Sequence, residues 1–319
     1  MSLLPPADAY QQKILPLRQQ LDVVNNWLRL RLDRLIPEIM AREGLDMWLV
    51  IAREYNEDPV IWSLLPAPAM GARRRTILIF SRQPDGTVER LTVARYPLAG
   101  FFESCWDPAQ EEQYACLARL IRERDPATIG INVSEYFAFG DGLSHHEYEL
   151  LTAALGEELS ARLTPAWRLC VGWLERRIPE EMVVYPGLVE IGHAIIAEAF
   201  SSRVIQPGIT TTDDVVWWMR DKMQALNLEA WFQPSISIQA PGQGFSITDE
   251  PARTLIMPGD LLHCDMGFYY LGLATDQQQH AYVLRPGEVE APAGLQAALA
   301  DGNALQDILM REMQVGRTG

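Results

Sequence analysis

Asp265 and Asp276 stand eleven residues apart, in Gly259-Asp260-Leu261-Leu262-His263-Cys264-Asp265-Met266-Gly267 and Ala274-Thr275-Asp276. Hard divalent cations need several oxygen ligands, and a carboxylate can chelate one ion or bridge two. A dinuclear centre holds its ions about 3.5–4 Å apart and uses them to position a nucleophile derived from water. Two aspartates on adjacent strands of a hairpin, about 4.8 Å apart, can converge on such a centre. Spacing alone leaves the blander alternative open, that both are turn or edge residues. Strand alternation puts His263 on the face of Asp265 and His280 on the face of Asp276, and it turns Cys264 away into packing. His263 either lines the site or is a core histidine bonded to backbone, the second being the expectation. His280 is a candidate for orienting a carboxylate.

The elements that must position these residues follow from periodicity and punctuation. In the first half, residues 12–43 read as a helix with Leu28, Leu32, Leu35 and Ile39 recurring on one face, closed by Gly44. The apolar runs 47–51, 76–80 and 91–94 read as strands, the last two joined through Pro84-Asp85-Gly86. A helix over 110–124, a strand over 128–133 and a helix over 144–155 complete an α/β pattern, with Ser144 and Glu147 spaced as a capping box. The pattern changes near Leu174-Glu175-Arg176-Arg177-Ile178-Pro179, which divides the chain into domains at 1–175 and 176–319. Helices are expected at 179–202, from Thr211 to about Asn227, and at 295–313. Strands are expected at 231–238, 260–267, 269–273 and 280–284, an α+β order. Thr211 caps a helix whose first turn carries Asp213 and Asp214. Trp217 and Trp218 read as packing between helix and sheet. The loop Arg53-Glu54-Tyr55-Asn56-Glu57-Asp58-Pro59 is unusually polar for its place after a buried strand, and loops so placed often carry function.

Composition bounds the rest. The 319 residues are 48% hydrophobic and 22% charged, which suits a soluble globular chain of two domains. With 27 basic and 42 acidic side chains the net charge is −15, which argues against nucleic acid and anionic membranes as partners. Cys105, Cys116, Cys170 and Cys264 show no paired spacing, as expected of a reduced, cytoplasmic protein. The start MSLLPPADAYQQ shows no signal-peptide pattern, and no apolar run is expected to span a bilayer.

The segment Pro258 to Gly267 followed by Thr275-Asp276 resembles the pita-bread metallopeptidases, the family of Xaa-Pro aminopeptidases, prolidases, methionine aminopeptidases and the non-peptidase creatinases. The resemblance extends upstream to Ile178-Pro179-Glu180-Glu181 and Pro207-Gly208-Ile209-Thr210, and downstream to Val315-Gly316-Arg317-Thr318-Gly319. The first half is similar in kind to the leading domain of creatinases and proline-specific members. The fold implied is an α/β creatinase-like domain followed by an α+β pita-bread domain incomplete at its C-terminus. By this resemblance Asp265 would chelate one metal ion and Asp276 would bridge two, the ions being manganese, cobalt or zinc.

The family completes its site with a His and two Glu further toward the C-terminus, which would fall beyond Gly319, so the 319-residue chain is expected to be inactive by itself. Glu288, Glu290 and Glu312 are poor substitutes, lying in a loop and a surface helix. The peptidases usually carry a substrate-contacting His shortly before the first metal aspartate. Residues 239–249 contain none here, and Ser246 or Thr248 could offer a hydroxyl instead. The implied function is a metal-dependent hydrolase of short proline-containing peptides, acting as a homodimer, with the polar loop at 53–59 available to close a partner's site. The alternatives are a non-catalytic module of the same fold and a creatinase-like amidinohydrolase that needs no metal.

Overall fold

A computed structural model describes residues 4–67, 69–98, 100–239 and 253–317. The chain divides into two compact units, Leu15–Val184 and a second made of Met1–Ile14 with Tyr185–Gly319.

The Leu15–Val184 unit contains, in order, α1 (Leu17–Glu43), β1 (Met47–Arg53), α2 (Pro59–Leu64), β2 (Arg75–Arg82), β3 (Val88–Ala94), β4 (Glu103–Ser104), α3 (Gln113–Arg124), β5 (Ile129–Ile131), α4 (His145–Ser160), β6 (Leu163–Pro165), α5 (Trp167–Glu175) and α6 (Pro179–Met182). Its strands form one mixed sheet in the order β4-β3-β2-β1-β5-β6. The pairs β1–β2 and β2–β3 are antiparallel, and β1–β5 and β5–β6 are parallel. Alternation along β1 sends Met47, Leu49 and Ile51 into one core with Leu117 and Ile121 of α3 and Leu151 and Leu155 of α4. On the other face Trp48 stacks on Phe80 with ring centroids 4.9 Å apart, and α1 buries Leu32, Ile36, Ile39 and Met40. Both faces are covered, which is why β1 reads as an unbroken apolar run.

Three sequence expectations change here. The first helix begins at Leu17, not residue 12, because Pro16 holds an extended backbone ahead of it and a separate 3₁₀ turn occupies Ala7–Lys13. It does end at Gly44, in the left-handed region at φ 67°. The capping box at Ser144 is not formed. Glu147 is 1% exposed and accepts from Arg75 Nε at 2.6 Å, Arg75 Nη2 at 3.1 Å and the Tyr114 hydroxyl at 2.7 Å. A buried carboxylate with three charged or polar donors stays there rather than folding back on its own helix. The polar loop after β1 is likewise used locally. Asp58 accepts from the Ile61 amide at 2.7 Å and caps α2, and Glu57 accepts from the Ala72 amide at 3.0 Å. At the end of the unit, Arg31 donates to both oxygens of Glu181 at 3.1 and 3.0 Å, and the Ile178 amide donates to Glu181 at 2.7 Å. Glu181 therefore anchors the entry to α6.

The second unit contains the 3₁₀ turn and α7 (Tyr185–Ala199), α8 (Thr212–Ala225), β7 (Glu229–Ala230), β8 (Ser235–Gln239), β9 (Leu261–Met266), β10 (Phe268–Tyr270), β11 (Leu273–Ala274), β12 (Gln277–Tyr282) and α9 (Ala293–Glu312). Two three-stranded sheets form, β11-β10-β7 and β12-β9-β8. Thr211 caps α8 in a reciprocal box, its hydroxyl accepting from the Asp214 amide at 3.2 Å while Asp214 accepts from the Thr211 amide at 2.8 Å. The turn Ala7–Lys13 is tied to α7 by Tyr10 on Glu190 at 2.8 Å and the Ala7 amide on Glu198 at 3.0 Å. α8 buries Val215, Val216, Met219 and Met223, so Trp217 falls on the opposite side and is 54% exposed rather than packed against a sheet. The stretch Pro179–Ala199 is, contrary to the sequence expectation, long and apolar enough to cross a membrane by length and composition. Its Leu188, Ile191 and Ile195 are buried within the unit. α9 has no buried residue.

Candidate metal centre

β9 and β12 pair antiparallel, with Asp265 opposite Gln278 and His263 opposite His280; β8 adds Ser235 opposite Asp265 and Ser237 opposite His263. Asp265 thus lies on β9 and Asp276 immediately before β12, the two strands being connected through β10 and β11. Orientation follows from burial and one close approach. Leu262, Cys264 and Met266 are fully buried, and Gln277, opposite Met266, donates to the Val189 carbonyl of α7 at 2.9 Å. Gly192 permits that approach, since a Cβ there would stand 1.7 Å from Gln277 Oε1. The helices therefore cover the Cys264 and Gln277 face. Alternation leaves His263, Asp265, Asp276, Gln278 and His280 together on the other face, as the sequence spacing requires. Gly267 ends β9 where a Cβ would meet the Thr275 carbonyl oxygen at 2.2 Å, so only glycine lets the chain turn back and bring Asp276 beside Asp265.

The two carboxylates interact. Burial raises the Asp265 carboxyl above its ordinary range, the like charge and hydrogen bonding of Asp276 raise it further, and His263 opposes the shift. Asp265 Oδ2 accepts from Gln278 Nε2 at 3.4 Å, while Oδ1 is buried and, among the described residues, faces no N–H or O–H donor beyond the neighbouring Asp276 carboxyl. A buried carboxylate oxygen so placed, beside a second carboxylate, suits a cation, and Asp265 and Asp276 fit the oxygen-donor part of a hard-metal site. They do not make a complete one. Among the described residues no group of three His, Cys, Asp or Glu side chains is placed to hold an ion.

His263 is not a core histidine on backbone. It is half-buried, with Nε2 3.2 Å from Gln278 Oε1, because the face it occupies has no covering layer among the described residues. His280 is exposed and packs against the His263 ring, with centroids 4.9 Å apart, rather than orienting a carboxylate. Partial desolvation of the ring where it packs on His263, then the like charge of His263, lowers its pKa. Ser246 and Thr248 lie outside the described residues. Glu288 accepts from the Tyr282 hydroxyl at 3.0 Å and the Arg285 amide at 2.7 Å, Glu312 pairs with Arg317 at 2.6 Å, and Glu290 is exposed. None of the three joins the aspartates. Gln278 was the residue missed. It bridges Asp265 and His263, and the alternation that placed His280 would have placed it too.

The chain matches no protein-family profile and no curated protein sequence. Its structure resembles an X-Pro aminopeptidase from Thermotoga maritima MSB8, with a TM-score of 0.59 at 14% identity over 85% of this chain and 70% of that one. It also resembles a putative aminopeptidase P from Bacillus anthracis (0.59, 8%, covering 82% and 65%) and the prolidase from Pyrococcus horikoshii OT3 (0.52, 13%, covering 85% and 68%). The chain has the fold of the pita-bread peptidases.

Proposed function

We propose that this fold serves a metal-dependent hydrolase of short, proline-containing peptides, with Asp265 and Asp276 as oxygen donors to divalent cations. The observation that carries the reading is the buried Asp265 Oδ1, which no N–H group among the described residues reaches, beside the Asp276 carboxylate. The bound ions would supply Lewis acidity toward the scissile carbonyl. The chain's own contribution is to hold the two carboxylates together through the Gly267 turn and to keep Asp265 in place with Gln278. A cytoplasmic homodimer accompanies the reading as part of the proposal.

The non-catalytic alternative is favoured by one observation, that the two aspartates have no third ligand among the described residues. Release of the first residue from an Xaa-Pro peptide, with added Mn²⁺ or Co²⁺, set against urea release from creatine, separates the readings. Peptide cleavage that Asp276→Asn lowers by about a hundredfold or more supports the proposal. Because the aspartates alone do not complete a site, metal uptake decides: no uptake of Mn²⁺ or Co²⁺, or uptake that Asp276→Asn leaves unchanged, overturns it in favour of a binding module.

A further inference from the structure

We propose that His263 and His280 form a separate binding site for a borderline divalent cation such as Ni²⁺ or Zn²⁺, distinct from the carboxylate pair. The two residues face each other directly across β9 and β12, on the side of the sheet away from α7 and α8. Their ring centroids are 4.9 Å apart and their planes are inclined at 52°. An ion bound at a metal–nitrogen distance of about 2.1 Å stands about 3.2 Å from each imidazole centroid, and ligand angles between square and tetrahedral then separate the centroids by roughly 4.5–5.2 Å. The observed spacing falls inside that interval, and the register of the two strands holds it.

The Gln278 side chain completes the arrangement. Its Nε2 faces Asp265 Oδ2 at 3.4 Å, which directs its Oε1 toward His263 Nε2 at 3.2 Å. A proton held on Nε2 and donated to that amide oxygen would leave Nδ1 as the ring nitrogen that meets the ion. That is how ligating histidines are commonly held by their second ring nitrogen. His280 is exposed and His263 is half-buried, so an ion can enter from solvent. Paired imidazoles select Ni²⁺, Cu²⁺ or Zn²⁺ over the hard cations that carboxylates prefer, so the two sites differ in the metal they take. This inference does not rest on the peptidase reading.

The test is a calorimetric titration of the full chain with Ni²⁺, in a His145→Gln/His146→Gln background that removes the exposed histidine pair on α4. A Cu²⁺ electron paramagnetic resonance spectrum of the same protein provides a second readout. The proposal expects one ion bound, nitrogen couplings from two imidazoles, and affinity reduced at least about tenfold by His263→Gln or by His280→Gln. Asp276→Asn should leave Ni²⁺ affinity unchanged. Ni²⁺ affinity equal to the parent's in either histidine variant, or a spectrum without two nitrogens, overturns it and leaves the rings as packing partners. Loss of Ni²⁺ binding in Asp276→Asn also overturns it, by showing that the cation sits at the carboxylates. Hydrolysis that fails while Ni²⁺ binding persists leaves the histidine site standing and removes only the peptidase reading.

Discussion

Glu147 and Asp265 are two sheltered carboxylates that the two units treat in opposite ways. Glu147 sits against a sheet covered on both faces, and its oxygens receive Arg75 twice and Tyr114 once. Among the described residues, Asp265 sits on a sheet covered on one face only, takes one long bond from Gln278, and has an oxygen that no N–H group reaches. The first arrangement offsets the cost of burying a charge with fixed cations and donors, and it stabilises the fold. The second leaves that cost standing among the described residues, an arrangement that suits the proposed cation.

The contrast is broken most directly at Glu147. Replacing it by Gln removes the charge from a buried pair and leaves Arg75, whose side chain is 25% exposed, without its counter-ion. The expected cost is about 3 kcal/mol of unfolding free energy, at the low end for a broken buried pair because Arg75 keeps partial access to water. Urea denaturation of the Leu15–Val184 transition measures it. A cost below about 0.5 kcal/mol would place Glu147 among ordinary surface carboxylates and dissolve the comparison.

Asp265→Asn should do the reverse. The folded pKa of Asp265 is raised above its unfolded value, so the folded state holds the proton more tightly, and stability contributed by this group is lost as pH rises from the ordinary aspartate range through the folded value. The variant escapes that loss. It should match the parent at acidic pH and exceed it near neutrality by up to about 1 kcal/mol, the difference opening as pH rises. Urea melts across that range in a metal chelator give the curve. A difference that closes with rising pH would mean that Asp265 is stabilised as an anion, with a partner like those of Glu147.

What the sequence made legible follows the same division. Alternation along Leu261–Met266 and Gln277–Tyr282 sufficed to put Asp265, His263 and His280 on one face, because side-chain direction in a strand depends only on parity, and Asp276 stands one residue ahead of β12. The apolar runs located β1, β2 and β3, and Gly44 marked the end of α1. Contacts between residues far apart in the chain were not legible. Nothing local announces that Glu147 meets Arg75, 72 residues away, or that Glu181 meets Arg31, 150 residues away. His263 was misjudged for a related reason. A half-buried strand and a buried one share a period, and only the third dimension shows which face lacks a cover.

The capping signals carry this distinction to its smallest scale. Ser144 with Glu147 and Thr211 with Asp214 have the same spacing, yet only the second pair closes on itself. At Thr211 the acidic partner is exposed, pairs with no distant cation among the described residues, and turns back to the cap amide. At Ser144 the tertiary pull of Arg75 takes the acid away, and the serine makes no side-chain cap bond. Thr211→Ala should therefore cost about 1 kcal/mol, whereas Ser144→Ala should cost a few tenths at most. Thermal or urea unfolding of the two variants measures the pair under identical conditions. Equal losses would show that the Ser144 hydroxyl caps α4 in solution even with Glu147 engaged elsewhere, and local spacing would then outweigh the buried ion pair.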